Sequence, residues 1–198
     1  MTFKVTNLFA SPVWEIDVET YQGFHNDLMR EGMVFSNTAP EEIRTKKFLQ
    51  NAGPAASLLH TKVLEAISKV SEQCGWPAHT VEILSRQNPV APMEWQAPHS
   101  HPENDFIMVY YVDTPEGCGD LLIQDPRGAV LPYWKEPLVR EDYNGSSRVS
   151  YRIKPRPGLL VLFPNYLFHS VEPNLGNRHR ISIVIDVRLH VKDRYAFL

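Results

Sequence analysis

The sequence predicts a mainly β chain with flanking helices, an α+β arrangement in which short strands form an antiparallel sandwich or barrel. Three observations predict it. From Val81 onward the apolar residues fall in short β-rich runs, Val81–Arg86, Phe106–Val112, Asp120–Gln124, Val149–Ile153, Leu159–Phe163 and Arg180–Leu189, separated by Pro, Gly, Asn and Asp. No helical period lies between those runs, which argues against βαβ units. Finally, 16 prolines against 10 glycines, most of the prolines after residue 87, indicate many short connections.

Taken in order, Phe3–Val18 alternates loosely and carries Pro12, which suits an edge strand entering the sheet. Tyr21–Met33 is expected to form a short helix, and Asn51–Gly75 a longer one. In the longer helix Gly53-Pro54 offers a start, Leu59, Val63, Ile67 and Val70 recur at helical spacing, and Gly75 stands where a C-cap belongs. These N-terminal helices pack on one outer sheet. The polar stretch Arg127–Ser147, rich in Pro, Tyr and Trp, is longer than an ordinary connection and reads as an excursion beside the site. The expected organisation is one domain over 1–198, with the strand and supporting helices in 1–80 and the β core in 81–198.

Composition narrows the function. With 20 Lys and Arg against 23 Asp and Glu the formal charge is −3, so no basic excess exists to hold a phosphate backbone and nucleic acid is not an expected partner. The longest apolar run, Phe106–Val112, is far short of a membrane span, and Met1–Ala10 lacks a signal-peptide core. A cytoplasmic protein is expected, with Cys74 and Cys118 as free thiols. An N-terminal edge strand or exposed aromatics could pair protomers into a homodimer.

His99 and His101 stand in Ala97-Pro-His-Ser-His-Pro, just before the run Phe106–Val112. In extended chain, residues two apart share a face about 7 Å apart, so both imidazoles can approach one metal ion. His169 follows the run Leu159–Phe163 after a turn, and antiparallel folding can return it to that pair. A close pair with one distant histidine places three ligands on one side of a metal and leaves the other side open. The plainer role for His169 is a hydrogen bond to a neighbouring carbonyl at a strand start. Arg180 opens the most β-like run, Arg180-Ile-Ser-Ile-Val-Ile, and Ser182 shares its face, so guanidinium and hydroxyl together can grip a carboxylate. Of Tyr110 and Tyr111, one phenol must face inward, where it needs a polar partner.

In order, His99-Ser-His101, Met108-Val-Tyr-Tyr-Val, Gly119-Asp-Leu-Leu-Ile, Pro157-Gly-Leu-Leu-Val-Leu-Phe-Pro, His169-Ser-Val and Arg180-Ile-Ser resemble the iron(II)- and 2-oxoglutarate-dependent dioxygenases over residues 97 to 188. The segment His-x-His-Pro and Asp125-Pro-Arg127 are similar to a small branch of bacterial and phage members, as is Leu8-Phe-Ala-Ser-Pro-Val-Trp. The resemblance implies a double-stranded β-helix, the cupin-like jelly roll, using Fe(II), 2-oxoglutarate and O2. It implies His99 and His169 as iron ligands and Arg180 with Ser182 as partners of the 2-oxoglutarate C5 carboxylate, with Tyr111 similar in place to a strand tyrosine that hydrogen-bonds the same carboxylate. The superfamily pattern has His-x-Asp/Glu where this chain has His101. That leaves a three-histidine site, or an oxygen ligand from Glu103 or Asp105; Pro102 and the shift in register count against Glu103.

The implied reaction hydroxylates a small molecule or peptide while 2-oxoglutarate becomes succinate and CO2. Candidate substrate walls are Arg127 and the stretch to Arg140, including Tyr133 and Trp134, with Trp95 on the other rim. Three other readings compete: a cupin-type oxygenase without a 2-oxo acid, a zinc enzyme, and a non-enzymatic jelly-roll binding module.

Overall fold

The computed structural model describes residues 10–77, 79–127 and 150–191. Its elements are β1 (Trp14–Asp17), α1 (Phe24–Thr38), α2 (Glu41–Arg44), α3 (Phe48–Asn51), α4 (Pro54–Cys74), β2 (His79–Val90), β3 (Gln96–His99), β4 (Phe106–Asp113), β5 (Leu121–Gln124), β6 (Ser150–Ile153), β7 (Leu159–Pro164), β8 (His169–Val171) and β9 (Arg180–Val191). Five strands form one sheet in the order β1-β7-β4-β9-β2, and four form a second in the order β3-β8-β5-β6. All pairings are antiparallel. From β2 to β5 the chain changes sheet at each step, and again from β6 through β9, which is the double-stranded β-helix, or jelly roll.

Burial on both faces explains why β4, β7 and β9 read as continuous apolar runs. On one face Met108, Tyr110, Leu160, Leu162, Ile183 and Ile185 join the helices in a core. On the other, Ile107, Val109, Tyr111, Val161, Phe163 and Val184 pack toward the second sheet. Tyr110 and Tyr111 are therefore both buried, on opposite sides of β4, and Tyr110 finds its polar partner in His25 Nε2 at 2.9 Å. Truncating a fully buried Leu or Ile in these strands to Ala costs about 2–5 kcal/mol.

The helices cover only the five-stranded sheet. In α4 the buried residues Leu59, Val63, Ile67 and Val70 form the predicted stripe, Pro54 opens the first turn and Gly75 closes the last with φ 64°. The Gly75 and Trp76 amides then donate to Glu72 O and Ser71 O. Helix α1 runs on to Thr38, past the expected end at Met33, because no helix breaker intervenes before Pro40. Its Gly32 lets the helix approach β2: a Cβ there would lie 1.7 Å from Gln87 Nε2. A Ser85 hydroxyl accepts the Leu49 amide at 2.9 Å and fastens α3 to the same strand.

Several boundaries differ from the sequence reading. The first strand shrinks to Trp14–Asp17, at the sheet edge. Strand β2 extends through Pro89 to Val90, tolerated because β2 is the other edge and pairs only with β9. Strands β3 and β8, four and three residues long, carry too short a pattern to be seen in sequence. The excursion expected from Arg127 to Ser147 lies outside the described residues after Arg127. Among the described residues no helix is long and apolar enough to cross a membrane.

Candidate metal centre

Strand pairing assembles the site. In the β3–β8 ladder His99 lies directly opposite His169, with ring centroids 4.3 Å apart. His101 follows in the loop toward β4, its ring 5.2 Å from each of the others. That loop is held by main-chain bonds, His101 N to Asn165 O at 3.4 Å and Asp105 N to Val187 O at 2.9 Å. One nitrogen from each of the three imidazoles falls within 4.8 Å of the others.

The hydrogen bonds behind the rings decide which nitrogen that is. His99 Nδ1 meets Ala97 O at 2.8 Å and His169 Nδ1 meets Leu167 O at 3.1 Å. A carbonyl only accepts, so both Nδ1 atoms carry a proton, which in the neutral imidazole leaves the lone pair on Nε2. His101 Nδ1 donates to Asp186 Oδ1 at 2.8 Å, with the same result. Three imidazoles anchored at Nδ1 and converging within 4.8 Å are a metal-ligand set by their chemistry. Burial drives the His169 pKa down to about 4, against the opposing pull of its Leu167 hydrogen bond, so this ring stays neutral near pH 7. The plainer carbonyl-bonded role of His169 and the ligand role are thus compatible.

Asp186, which the sequence reading did not nominate, contacts the site through His101. Burial alone would raise its carboxyl; the His101 hydrogen bond and Arg86, whose Nη1 donates to Oδ2 at 2.9 Å, outweigh this and hold it below the usual range. Its signal was visible as an acid inside the apolar strand Ile183-Val-Ile-Asp-Val. Arg86, on β2, reaches it diagonally across the ladder in which Leu84 opposes Asp186.

Arg180, Tyr111 and Ser182 line the same cavity as the three histidines. Arg180 is 1% exposed, yet its Nε and Nη1 have no hydrogen-bond partner among the described residues. Burial lowers its pKa, with Tyr111 opposing, but a guanidinium remains charged. A buried cation with two idle donors is costly unless an anion meets it, and a carboxylate matches that fork. Tyr111 stacks beside it, its ring centroid 5.8 Å from the guanidinium carbon. Ser182 is buried next to them, but its hydroxyl donates to Asn88 O at 3.3 Å.

The other candidates are placed as follows. Glu103 is solvent-exposed and within 3.6 Å of Arg188, and Asp105 accepts the Leu189 amide at 2.7 Å; neither belongs to the histidine cluster. Arg127 is bound to Asp125, which also caps its amide at 2.9 Å. Trp95 is 59% exposed, in a surface pocket with Met93 and Glu94 that shares Gln96 with the metal cavity. Trp134 and Tyr133 lie outside the described residues.

A jelly roll that brings three convergent histidines into one cavity with a buried arginine, two of whose donors have no partner among the described residues, has the makings of a metal centre beside an anion site. The chain belongs to the family described as "Putative 2OG-Fe(II) oxygenase", whose model matches residues 87–186. The protein is accordingly an Fe(II)-, 2-oxoglutarate- and O2-dependent oxygenase. No curated protein matches the sequence.

Solved structures show the same fold. A prolyl-4-hydroxylase from Pseudomonas putida is 13% identical with a TM-score of 0.63, covering 91% of this chain and 89% of that one. HygX from Streptomyces hygroscopicus, with nickel and 2-oxoglutarate bound, is 11% identical with a TM-score of 0.62 over 92% and 83%. A Trichoplax adhaerens prolyl hydroxylase in complex with a hypoxia inducible factor peptide fragment is 13% identical with a TM-score of 0.58 over 89% and 83%.

Proposed function

We propose that His99, His101 and His169 hold the iron through Nε2, that Arg180 with Tyr111 receives the far carboxylate of 2-oxoglutarate, and that the enzyme hydroxylates a small molecule or peptide. The observation that supports this most is the pairing of three Nδ1-anchored imidazoles with a buried guanidinium whose Nε and Nη1 are idle. When bound, the iron with 2-oxoglutarate and O2 supplies the oxidising chemistry, one oxygen atom ending in succinate as CO2 leaves and the other in the hydroxylated product.

The chain's own residues bind, orient and shield. The Nδ1 hydrogen bonds fix each ring's tautomer and direction before the metal arrives, which lowers the reorganisation needed on binding. Arg180 sets the cosubstrate's position through a directional two-donor contact, and the aromatic wall of Tyr111 limits water around it. The Ser182 hydroxyl joins the clamp by rotating from Asn88 O or stays as a second-row wall. Ile107, Val109, Leu121, Val171 and Val184 give the cavity its apolar sides and keep solvent from the reacting centre.

For the primary substrate, the pocket of Met93 and Trp95 offers exposed apolar surface next to the metal cavity, with Gln96 between them. Trp95 is therefore the proposed substrate wall, and Arg127, already committed to Asp125, a weaker contributor. A solved neighbour in complex with a peptide keeps the peptide class in view. A ferrous site and two free thiols, Cys74 and Cys118, both suit a reducing compartment, and the cytoplasm is the proposed location. The test is succinate formation from 2-oxoglutarate in air with added Fe(II). The reading predicts slow turnover that a true substrate accelerates, and no succinate from the iron-loaded wild type under any substrate screen would refute it.

A further inference from the structure

Of the three imidazoles, only His101 has a carboxylate behind it. The Nδ1 protons of His99 and His169 end on the backbone carbonyls of Ala97 and Leu167, which are neutral and placed by the chain itself. The His101 proton ends on Asp186 Oδ1 at 2.8 Å, and Asp186 Oδ2 receives Arg86 Nη1 at 2.9 Å. Asp186 is 8% exposed and lies between Ile185 and Val187, so nothing about its immediate strand favours a charge there. Among the described residues no acidic side chain lines the cavity itself, whereas Arg86 and Arg180 both do. A cavity proposed to accept a divalent cation therefore carries two positive side chains beside its imidazoles, and Asp186 is the anion directly behind them.

We propose, resting on the metal assignment above, that Asp186 is the positioning residue of the centre. It holds His101 as the Nδ1–H tautomer with Nε2 turned toward His99 and His169, and through that hydrogen bond it lends the site the negative charge that three imidazoles lack. Arg86 fixes the carboxylate's rotation by occupying its second oxygen, so the relay runs Arg86 to Asp186 to His101. His101 needs such a device more than its neighbours do. His99 and His169 are paired residues in a strand ladder, while His101 stands in a loop and owes its ring direction to one side-chain contact. An imidazole whose proton is drawn toward an anion is also the more basic ligand at its other nitrogen.

The test compares wild type with Asp186→Asn, which keeps the size and an acceptor for His101 while removing the charge. Co(II) and Ni(II) affinities are measured by isothermal titration calorimetry, and the visible absorption of the anaerobic Fe(II) protein with 2-oxoglutarate is recorded. The wild type binds both metals, and D186N, with unchanged far-ultraviolet circular dichroism, binds them roughly 10- to 100-fold more weakly. Its visible band moves to shorter wavelength, since iron with a less basic ligand gives up an electron less readily. Wild-type affinity in D186N overturns the proposal, and weaker binding with an unmoved band overturns its electronic half. A wild type that binds neither metal overturns the metal assignment instead. Should D186N fail to fold, Arg86→Gln changes the half-exposed end of the relay; a smaller loss of metal affinity is expected, and wild-type affinity there overturns the proposal.

Discussion

Replacing Arg180 by methionine separates what the residue does for the fold from what it does for the cosubstrate, because the two effects have opposite sign. The residue is 1% exposed, and Nε and Nη1 have no hydrogen-bond partner among the described residues. Two hydrogen bonds to a charged carboxylate at about 1.5–3 kcal/mol each would be lost, so roughly 3–6 kcal/mol disappears from 2-oxoglutarate binding. At about 1.4 kcal/mol per tenfold, Kd rises by roughly two to four orders of magnitude. Without cosubstrate the same change removes an uncompensated buried charge, and a well-packed apolar replacement is worth about 1–4 kcal/mol of added stability. Loss of the stacking on Tyr111, at 5.8 Å, subtracts about 0.5–1 kcal/mol from that gain. The net gain of about 0–3.5 kcal/mol, at about 2–4 °C per kcal/mol, raises the melting temperature by roughly 0–14 °C. Calorimetric titration of the Ni(II)-loaded protein with 2-oxoglutarate gives the first quantity and thermal denaturation of the cosubstrate-free protein the second. An R180M variant that melts lower and binds 2-oxoglutarate as the wild type does would refute the assignment.

Other perturbations reach the remaining parts of the structure. His99→Ala and His169→Ala each remove one of three ligands and should abolish stoichiometric Ni(II) binding while leaving circular dichroism unchanged; full metal retention in both would place the centre elsewhere. His25, bonded to Tyr110 between α1 and the sheet, has its pKa lowered by burial, so the folded protein keeps it neutral where the unfolded chain protonates it. Below about pH 6.5 the unfolded state therefore binds more protons and stability falls as the solution is acidified. His25→Gln should flatten that fall, measured as urea midpoints near pH 7 and pH 5, and an unchanged slope would contradict the assignment.

How much of this was legible in the sequence depended on where each residue's partners lie. Strands β4, β7 and β9 were readable because both their faces are buried, which leaves long apolar runs such as Phe106–Val112. Helix α4 declared itself by its stripe and by Gly75. Strands β3 and β8 were not readable, since their few residues are held by the ladder that joins His99 to His169 and not by local propensity. The histidines could be nominated because His-x-His is a local pattern and His169 follows a recognisable strand. Glu103 and Asp105 stayed open as alternatives because only the fold shows their carboxylates turned to Arg188 and the Leu189 amide. Asp186 depends on His101, 85 positions away, and on Arg86, 100 positions away, so no local window contains the relay.

One cavity is proposed to bind iron through three histidines and a 2-oxo acid through Arg180. Anaerobic titration of the Fe(II)-loaded wild type with 2-oxoglutarate addresses both halves at once, because the weak visible charge-transfer band of a 2-oxo acid chelated to iron(II) requires metal, cosubstrate and free coordination positions together. The expected band grows and saturates at one 2-oxoglutarate per iron. Iron bound at the histidines with no band at any 2-oxoglutarate concentration would contradict it.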